Sequence, residues 1–324
     1  MALYRLIFCI TIAFLCAMPA TAIAQNYPNR PIRLIVGFAA GSSGDVAGRI
    51  IAQAIGNRLG QTVVVENRPG ASSMIASEFV ARSAKDGYTL LLATIAATIN
   101  TTLMPGKGPD FQKDLAPVVL VGSIPNILVV NSQVEAKDVK ELIALAKAKP
   151  NELLFGASGL GSGPHMSAEL FQQMAGIQMT GVLYPGSAQT VTDLIAGRIQ
   201  VMFSPASTVA GFLKQGNVRP LATTQAKRAH IAPELPTIAE AALPGFDTGV
   251  WFGILAPTGT DAAIIDKLST TTNDALKDPE VLKQLHAQGL DALGGTPDEF
   301  RRFIASETER WAKVVHGMKT MKSR

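Results

Sequence analysis

The sequence predicts an α/β protein of two lobes, each a mostly parallel sheet flanked by helices. Three observations lead to that expectation. Short apolar, strand-like runs alternate with helix-period segments in βαβ order, and the scheme occurs twice along the chain. The chain has 324 residues, of which 47% are hydrophobic and 17% charged, enough apolar material for one large or two medium cores. No low-complexity tract or flexible linker separates the two units, so the lobes are expected to be joined by strands that cross between them.

The N-terminal segment is set aside before the fold begins. Arg5 precedes an apolar run from Leu6 to Ala17, and the small residues Ala22 and Ala24 stand before Gln25. That pattern reads as a cleaved secretory signal over residues 1–24. Both cysteines, Cys9 and Cys16, lie inside it, so the mature chain is expected to use no disulfide, thiol nucleophile or cysteine metal ligand. Leu15 is bulky where a lipidated cysteine calls for a small residue, which favours a soluble exported protein over a lipoprotein.

The elements follow in order. "PIRLIVGF" reads as a buried strand, "AAGSSGD" as a loop, and "DVAGRIIAQAIGNRLG" as a helix with Val46, Ile50, Ile51, Ala54, Ile55 and Leu59 on one face. "QTVVVEN" (strand), "ASSMIASEFVARS" (helix) and "YTLLLAT" (strand) complete a βαβαβ unit, which favours a parallel sheet with right-handed crossovers. The second unit runs through "VKELIALAKAKP" (helix), "ELLFGAS" (strand), "MSAELFQQMAG" (helix), "MTGVLYPG" (strand), "AQTVTDLIAGRI" (helix) and "QVMFSP" (strand). After "WFGILAP" the chain ends in helices around "IIDKLSTTTNDALKD", "PEVLKQLHAQG" and "PDEFRRFIASETERWAKVVHGM".

In an open α/β sheet, ligands bind beyond the carboxyl ends of strands. There glycine lets the backbone approach, and the unpaired N–H groups of a helix start favour an anion. "SGLGSGPH" fits that chemistry, with Ser158 and Ser162 as hydroxyl donors and Pro164 suited to a first helical turn. "FAAGSSGD" is its counterpart in the first unit, with Ser42 and Ser43 as donors and Asp45 as a first-turn helix residue. "YPGSAQ" is a third such loop, and "ATIAATIN", after the strand ending near Thr94, is a fourth. Any one of them is ordinary turn chemistry, but four loops of one character point to one cleft. His165 is expected to pack and hydrogen-bond, and Trp251 and Trp311 to be structural.

Other functions fit poorly. "GASGL" and "GSSGD" lack the closing glycine of a nucleophile elbow, and "GLGSGP" has Pro164 where a dinucleotide loop needs its third glycine. No H-E-x-x-H and no histidine pair at metal-ligand spacing occurs, so neither metal nor cofactor is expected. A net charge of +4, with lysines and arginines scattered among acids, gives little support for nucleic-acid binding.

Eight blocks, among them "RPIRLIVGFAAGSSGD", "VVVENRPGASSMIASE", "KDGYTLLLAT", "ASGLGSGPHMSAELF", "LYPGSAQTVTDLIAGRIQVMF" and "WFGILAPTGT", occur in order along the mature chain. The sequence thereby resembles the substrate-binding receptors of tripartite tricarboxylate transporters, the Bug family. The resemblance implies a type II periplasmic binding protein of the Venus-flytrap kind. Lobe I would run over 25–124 and 226–324, and lobe II over 125–225. It also implies capture of a small carboxylate, a di- or tricarboxylate or aromatic acid, by a monomer that delivers it to membrane transport subunits. Carried over by position, the ligand contacts would be Phe38, Gly41, Ser42, Ser43, Thr94, Thr98, Ser158, Gly159, Ser162, His165, Tyr184, Gly186, Ser187 and Ser204.

The departures bear on specificity. Where the family commonly reads V-P-F-P-P-G-G, this chain has Gly37, Ala39 and Ala40 in place of prolines and Ser42 in place of a glycine, which predicts a more flexible wall. Pro185 replaces a usual lysine. Ser204 replaces a frequent aspartate, which disfavours an amino-acid ligand. Ser72 and Ser73 stand where glycines are favoured, in a segment expected to enter a helix away from the ligand. The competing readings are an exported sensor that presents a small acid to a membrane signalling partner, and an exported hydrolase.

Overall fold

Three parallel strands open the structure. A computed structural model describes residues 27–213 and 215–318, so the segment 1–24 read as a signal lies outside the described residues. Strand β1 (Ile32–Val36) lies between β2 (Val63–Asn67) and β3 (Thr89–Thr94), parallel to both. Helix α1 (Ser43–Leu59) makes the first crossover. Ser42 caps it, and it stops at Gly60, whose left-handed φ of 64° lets its N–H reach the Gly56 carbonyl. Of the predicted apolar face, Ile51, Ala54 and Ile55 are buried and Val46, Ile50 and Leu59 flank them. The second crossover passes through a tight turn at Ala71–Ser73 into α2 (Met74–Ala81). After β3 the stretch read as a loop forms α3 (Ala96–Leu103).

The second unit repeats the plan. Strand β5 (Leu154–Ala157) is parallel to β6 (Thr180–Leu183) and to β7 (Val201–Pro205), with α5 (Gly163–Ala175) and α6 (Ser187–Ile195) as crossovers. Helix α4 (Val139–Ala148) precedes β5, and α7 (Ala206–Leu213) follows β7.

The two sheets share one strand. β4 (Leu115–Asn131) pairs antiparallel with β9 (Gly249–Pro257) from Leu115 to Pro125. From Asn126 onward it pairs with β7 and with β8 (Val218–Thr223). β9 also pairs antiparallel with β3, so the strand order is β2-β1-β3-β9-β4-β7-β5-β6. The crossing strands expected from the missing linker are thus β4 and the return from β8 to β9.

Buried polar groups tie the crossing together. Asn126 N–H donates to Thr224 Oγ1 at 3.0 Å, Thr224 Oγ1 donates to the Thr248 carbonyl at 2.8 Å, and Ser167 Oγ lies 2.8 Å from Thr248 Oγ1. Along β4, Leu128 and Val130 face one apolar cluster with Phe155, Phe171 and Phe203, while Ile127 and Val129 face the other, as a period of two requires. Ile238, in α8 (Ile238–Ala241), and Phe246 are fully buried in the cluster of the second sheet, although the sequence reading put 226–248 in lobe I. The first sheet is covered by α9 (Ala262–Ala275), α10 (Pro279–Ala287) and α11 (Pro297–Gly317). A two-residue strand, β10 (Asp291–Ala292), pairs with β4.

Candidate functional site

Because β1, β2 and β3 are parallel, the loops at their carboxyl ends lie side by side: Gly37–Ser42, Arg68–Ser73 and the turn at Ile95. β5, β6 and β7 do the same for Ser158–Ser162, Tyr184–Gly186 and the end of β7. The two sets meet. Ser72 Oγ donates to the Leu160 carbonyl at 2.5 Å, and Asn100 Nδ2 donates to the Ser72 carbonyl at 3.1 Å. A Cβ on Gly161 would come within 3.3 Å of Leu103, Asn100 and Ile99, and one on Gly163 would lie 2.7 Å from Val250. The absence of side chains at those two glycines is what allows the loops to approach so closely. Ser72 therefore does more than enter a helix: it bridges the loops of the two units. Neither it nor Asn100 was among the sequence candidates.

The first loop is held by several bonds. Asn67 Nδ2 donates to the Phe38 carbonyl at 3.0 Å, and Ser42 N–H to the Ala39 carbonyl at 3.1 Å. Phe38 is half-buried, its ring close to Gly44. Ser42 Oγ accepts from Asp45 N–H at 3.2 Å as the N-cap of α1, and Ser42 and Ser43 are half-buried. The Gly41 N–H is committed to Asp45 Oδ2 at 2.9 Å. Asp45 itself is buried and bonded to Arg49 and Asn67, and together with Gly41 these donors outweigh its burial and hold its carboxyl below the usual range. As expected from the sequence, Asp45 is a first-turn helix residue, and its charge already answers the positive end of α1.

On the opposite side α5 and α6 carry no acid in their first turns. Ser162 Oγ accepts from His165 N–H at 3.3 Å as the N-cap of α5, and the residue is buried. Gly186 opens α6 with no side-chain cap, followed by a half-buried Ser187. Ser158 is half-buried, and Gly159, with φ of 97°, lies 3.9 Å from Ser72 Oγ at its Cβ position.

Thr94 and Thr98 are buried beside these loops. Thr94 Oγ1 accepts from Ala96 N–H at 3.4 Å and Thr98 Oγ1 donates to the Ile95 carbonyl at 2.8 Å. Tyr184 donates from its N–H to the Ala157 carbonyl at 2.9 Å, and its hydroxyl donates to Asp193 Oδ2 at 2.8 Å. Its partial burial and that acidic partner push the phenol up to about 12. Ser204 is fully buried in β7, its hydroxyl 3.4 Å from the Pro205 carbonyl.

His165 is buried, as the expectation of a packed histidine requires. Its Nδ1 accepts from Gly161 N–H at 3.3 Å, and its Nε2 lies 3.8 Å from Glu169 Oε1. Burial holds His165 down to about 4 and pushes Glu169 up to about 7, a bond to Gln172 partly offsetting the latter. At neutral pH the imidazole is uncharged, and it fixes the Gly161 turn by accepting a backbone N–H.

The chain is 40% identical over 294 residues to Protein BugT of Bordetella pertussis (strain Tohama I), covering 90% of each chain. It is 35% identical to the UPF0065 protein in the tcbD-tcbE intergenic region of Pseudomonas sp. (strain P51), covering 89% of this chain and 86% of that one. Among solved structures it is similar to R. palustris Rpa4515 with adipate, at 37% identity and a TM-score of 0.84 over 90% of this chain and 97% of that one. It is also similar to MatC (Rpa3494) from Rhodopseudomonas palustris with bound malate, at 29% identity and a TM-score of 0.81 over 89% and 100%. The model of the tripartite tricarboxylate transporter family receptor matches residues 47–319, and with these relatives it shows that the chain belongs to that family of periplasmic solute-binding receptors.

Proposed function

We propose that this receptor, exported by its N-terminal segment, captures a small dicarboxylate between its two loop sets as a monomer, performs no chemistry on it, and delivers it to membrane transport subunits. The observation that carries this reading is the asymmetry of helix starts. The N-terminus of α1 is already answered by Asp45, whereas α5 and α6 carry no acid in the first turn and α6 starts at Gly186 with no side-chain cap. The carboxylate that enters the cleft is therefore received mainly by Ser158, Gly159, Ser162, Gly186 and Ser187. Phe38, Ser42, Ser43, Thr94 and Thr98 form the other wall. Gly41, His165, Tyr184 and Ser204 shape these walls through the bonds and packing just described. The lobes divide at the buried crossing of Asn126, Thr224 and Thr248, so that lobe II extends to residue 248. Adipate and malate, the ligands named for two similar structures, support the choice of ligand class. Among the described residues no helix is long and apolar enough to cross a membrane, which accords with a receptor that leaves membrane passage to other subunits.

Calorimetry on adipate, malate and their monoamides tests the reading. Converting the buried carboxylate to a carboxamide removes charge-assisted hydrogen bonds worth about 1.5–3 kcal/mol each and turns an NH2 toward donors. Affinity should fall by at least about tenfold for one such bond. Equal affinity for acid and amide would show that the helix starts do not hold the ligand, and a substrate consumed by the pure protein would overturn the receptor reading.

A further inference from the structure

We propose that His230, His286 and Asp291 form a site for a borderline divalent cation such as Zn2+ on the surface. One nitrogen from each imidazole and one carboxylate oxygen lie within 4.8 Å of one another. The three residues come from separate segments: the connection between β8 and β9, the last turn of α10, and β10. Two of the four histidines in the chain meet here, although they stand 56 residues apart, so no local spacing announces the cluster.

The mounting is rigid. α10 ends in a turn closed by Gly289 N–H to the His286 carbonyl at 2.9 Å and Leu290 N–H to the Leu285 carbonyl at 3.0 Å. Gly289 has φ of 71°, and a Cβ there would lie 2.9 Å from Ile231, the neighbour of His230. Asp291 is fixed opposite Ser123 of β4. The imidazole rings sit 4.5 Å apart at 47°.

The hydrogen bonds match what a ligating histidine needs. His230 Nδ1 is 2.7 Å from Asp291 Oδ1, while its Nε2 is 3.3 Å from the His286 carbonyl. With the proton on Nε2, that nitrogen donates to the carbonyl and leaves Nδ1 as a lone pair toward the carboxylate, the second-sphere arrangement that orients metal-bound histidines. Zn–N and Zn–O bonds of about 2.0–2.2 Å put tetrahedral ligand atoms roughly 3.3 Å apart, so a cation between these two atoms widens the 2.7 Å contact by about 0.6 Å. Small rotations of two partly exposed side chains accommodate that change. Two imidazoles and a carboxylate suit Zn2+, Co2+ or Ni2+ better than Mg2+ or Ca2+, and they leave a coordination position for water. The bound cation would fasten the β8–β9 connection to the α10–β10 turn.

The test is a titration of the tag-free mature protein, stripped with chelator, using Zn2+ against a chromophoric competitor and Co2+ followed by its visible absorption. One equivalent should bind with micromolar affinity. His286→Ala and Asp291→Asn should each weaken binding by at least about tenfold, and His316→Ala, at an exposed histidine elsewhere, should not. Circular dichroism confirms that each variant is folded. Wild-type affinity in both cluster variants, or no equivalent bound by the wild type, overturns the site and reduces the cluster to a hydrogen-bonded surface pair. Neither result bears on carboxylate capture, which the calorimetry with amides decides separately.

Discussion

Gly37 and Ser73 occupy one space. A Cβ on Gly37 would lie 1.8 Å from Ser73 Oγ and 2.4 Å from Ser73 Cβ, so the missing side chain at 37 makes room for the one at 73. Gly37→Ala should cost at least about 2 kcal/mol, in the manner of an overpacked core. Adding Ser73→Gly should recover about 1 kcal/mol or more, because the clash shrinks and φ of 72° at that residue suits glycine. Urea unfolding of the four-member cycle checks this, and additive effects would rule out the shared space. His165 and Glu169 make a second residue-scale prediction. His165, lowered to about 4 by burial, contributes stability that is full above pH 6.5 and lost as pH falls toward 4. Glu169, raised to about 7 by burial, contributes stability that is full below pH 4.5 and lost as pH rises toward 7. Between pH 4.5 and 6.5 the two slopes oppose each other. Glu169→Gln removes one of them, so the variant should gain about 2 kcal/mol relative to wild type from pH 5 to 6.5, at about 1.36 kcal/mol per pH unit. A variant-minus-wild-type difference that does not change with pH would show that Glu169 titrates normally.

At the scale of elements, the two serine caps separate structural from functional roles. Ser42→Ala and Ser162→Ala each remove a bond to a backbone N–H and should each cost about 1 kcal/mol in unfolding experiments. Ser162→Ala should also lower dicarboxylate affinity by about tenfold or more, since α5 has no acid in its first turn. Ser42→Ala should lower it less, because Asp45 already satisfies α1. Equal calorimetric losses in the two variants would contradict the proposed asymmetry. Elements such as α1, α5 and the short parallel strands were legible because their apolar residues recur with a clear period and Gly or Ser marks their ends. β4 was not: Pro117 and Pro125 argue locally against a strand, and with 15 of its 17 positions buried there is no alternation to read. Its register shifts beside Pro117 show how the sheet accommodates the missing donor. α3 was taken for a loop because "ATIAATIN" is short and rich in β-branched residues. The loop serines were legible from composition, but Ser72 was not, because its role depends on a left-handed run of Ala71, Ser72 and Ser73 that their side chains do not announce.

At the scale of the molecule, the two units are joined through β4 and the β8–β9 return and touch again where Ser72 meets Leu160. A second contact, Gln173 Nε2 to the Val314 carbonyl at 2.8 Å, links α5 to α11. A receptor that closes on its ligand changes affinity in proportion to how readily the closed form is reached. The Ser72 bond is worth about 0.5–1.5 kcal/mol net, so its loss shifts the closed-to-open ratio by roughly 2- to 12-fold. Ser72→Ala keeps the left-handed backbone, with φ of 50°, and removes the hydroxyl. It should therefore weaken binding of the dicarboxylate selected by calorimetry by that factor. Small-angle scattering should show a larger radius of gyration for the ligand-free variant than for ligand-free wild type, and equal radii at saturation. Ser72→Gly removes the same hydroxyl but also relieves about 1–2 kcal/mol of backbone strain, so it should unfold at higher urea than Ser72→Ala while showing a similar loss of affinity. An affinity unchanged in Ser72→Ala, with unchanged scattering, would mean that the Ser72–Leu160 contact follows closure without favouring it.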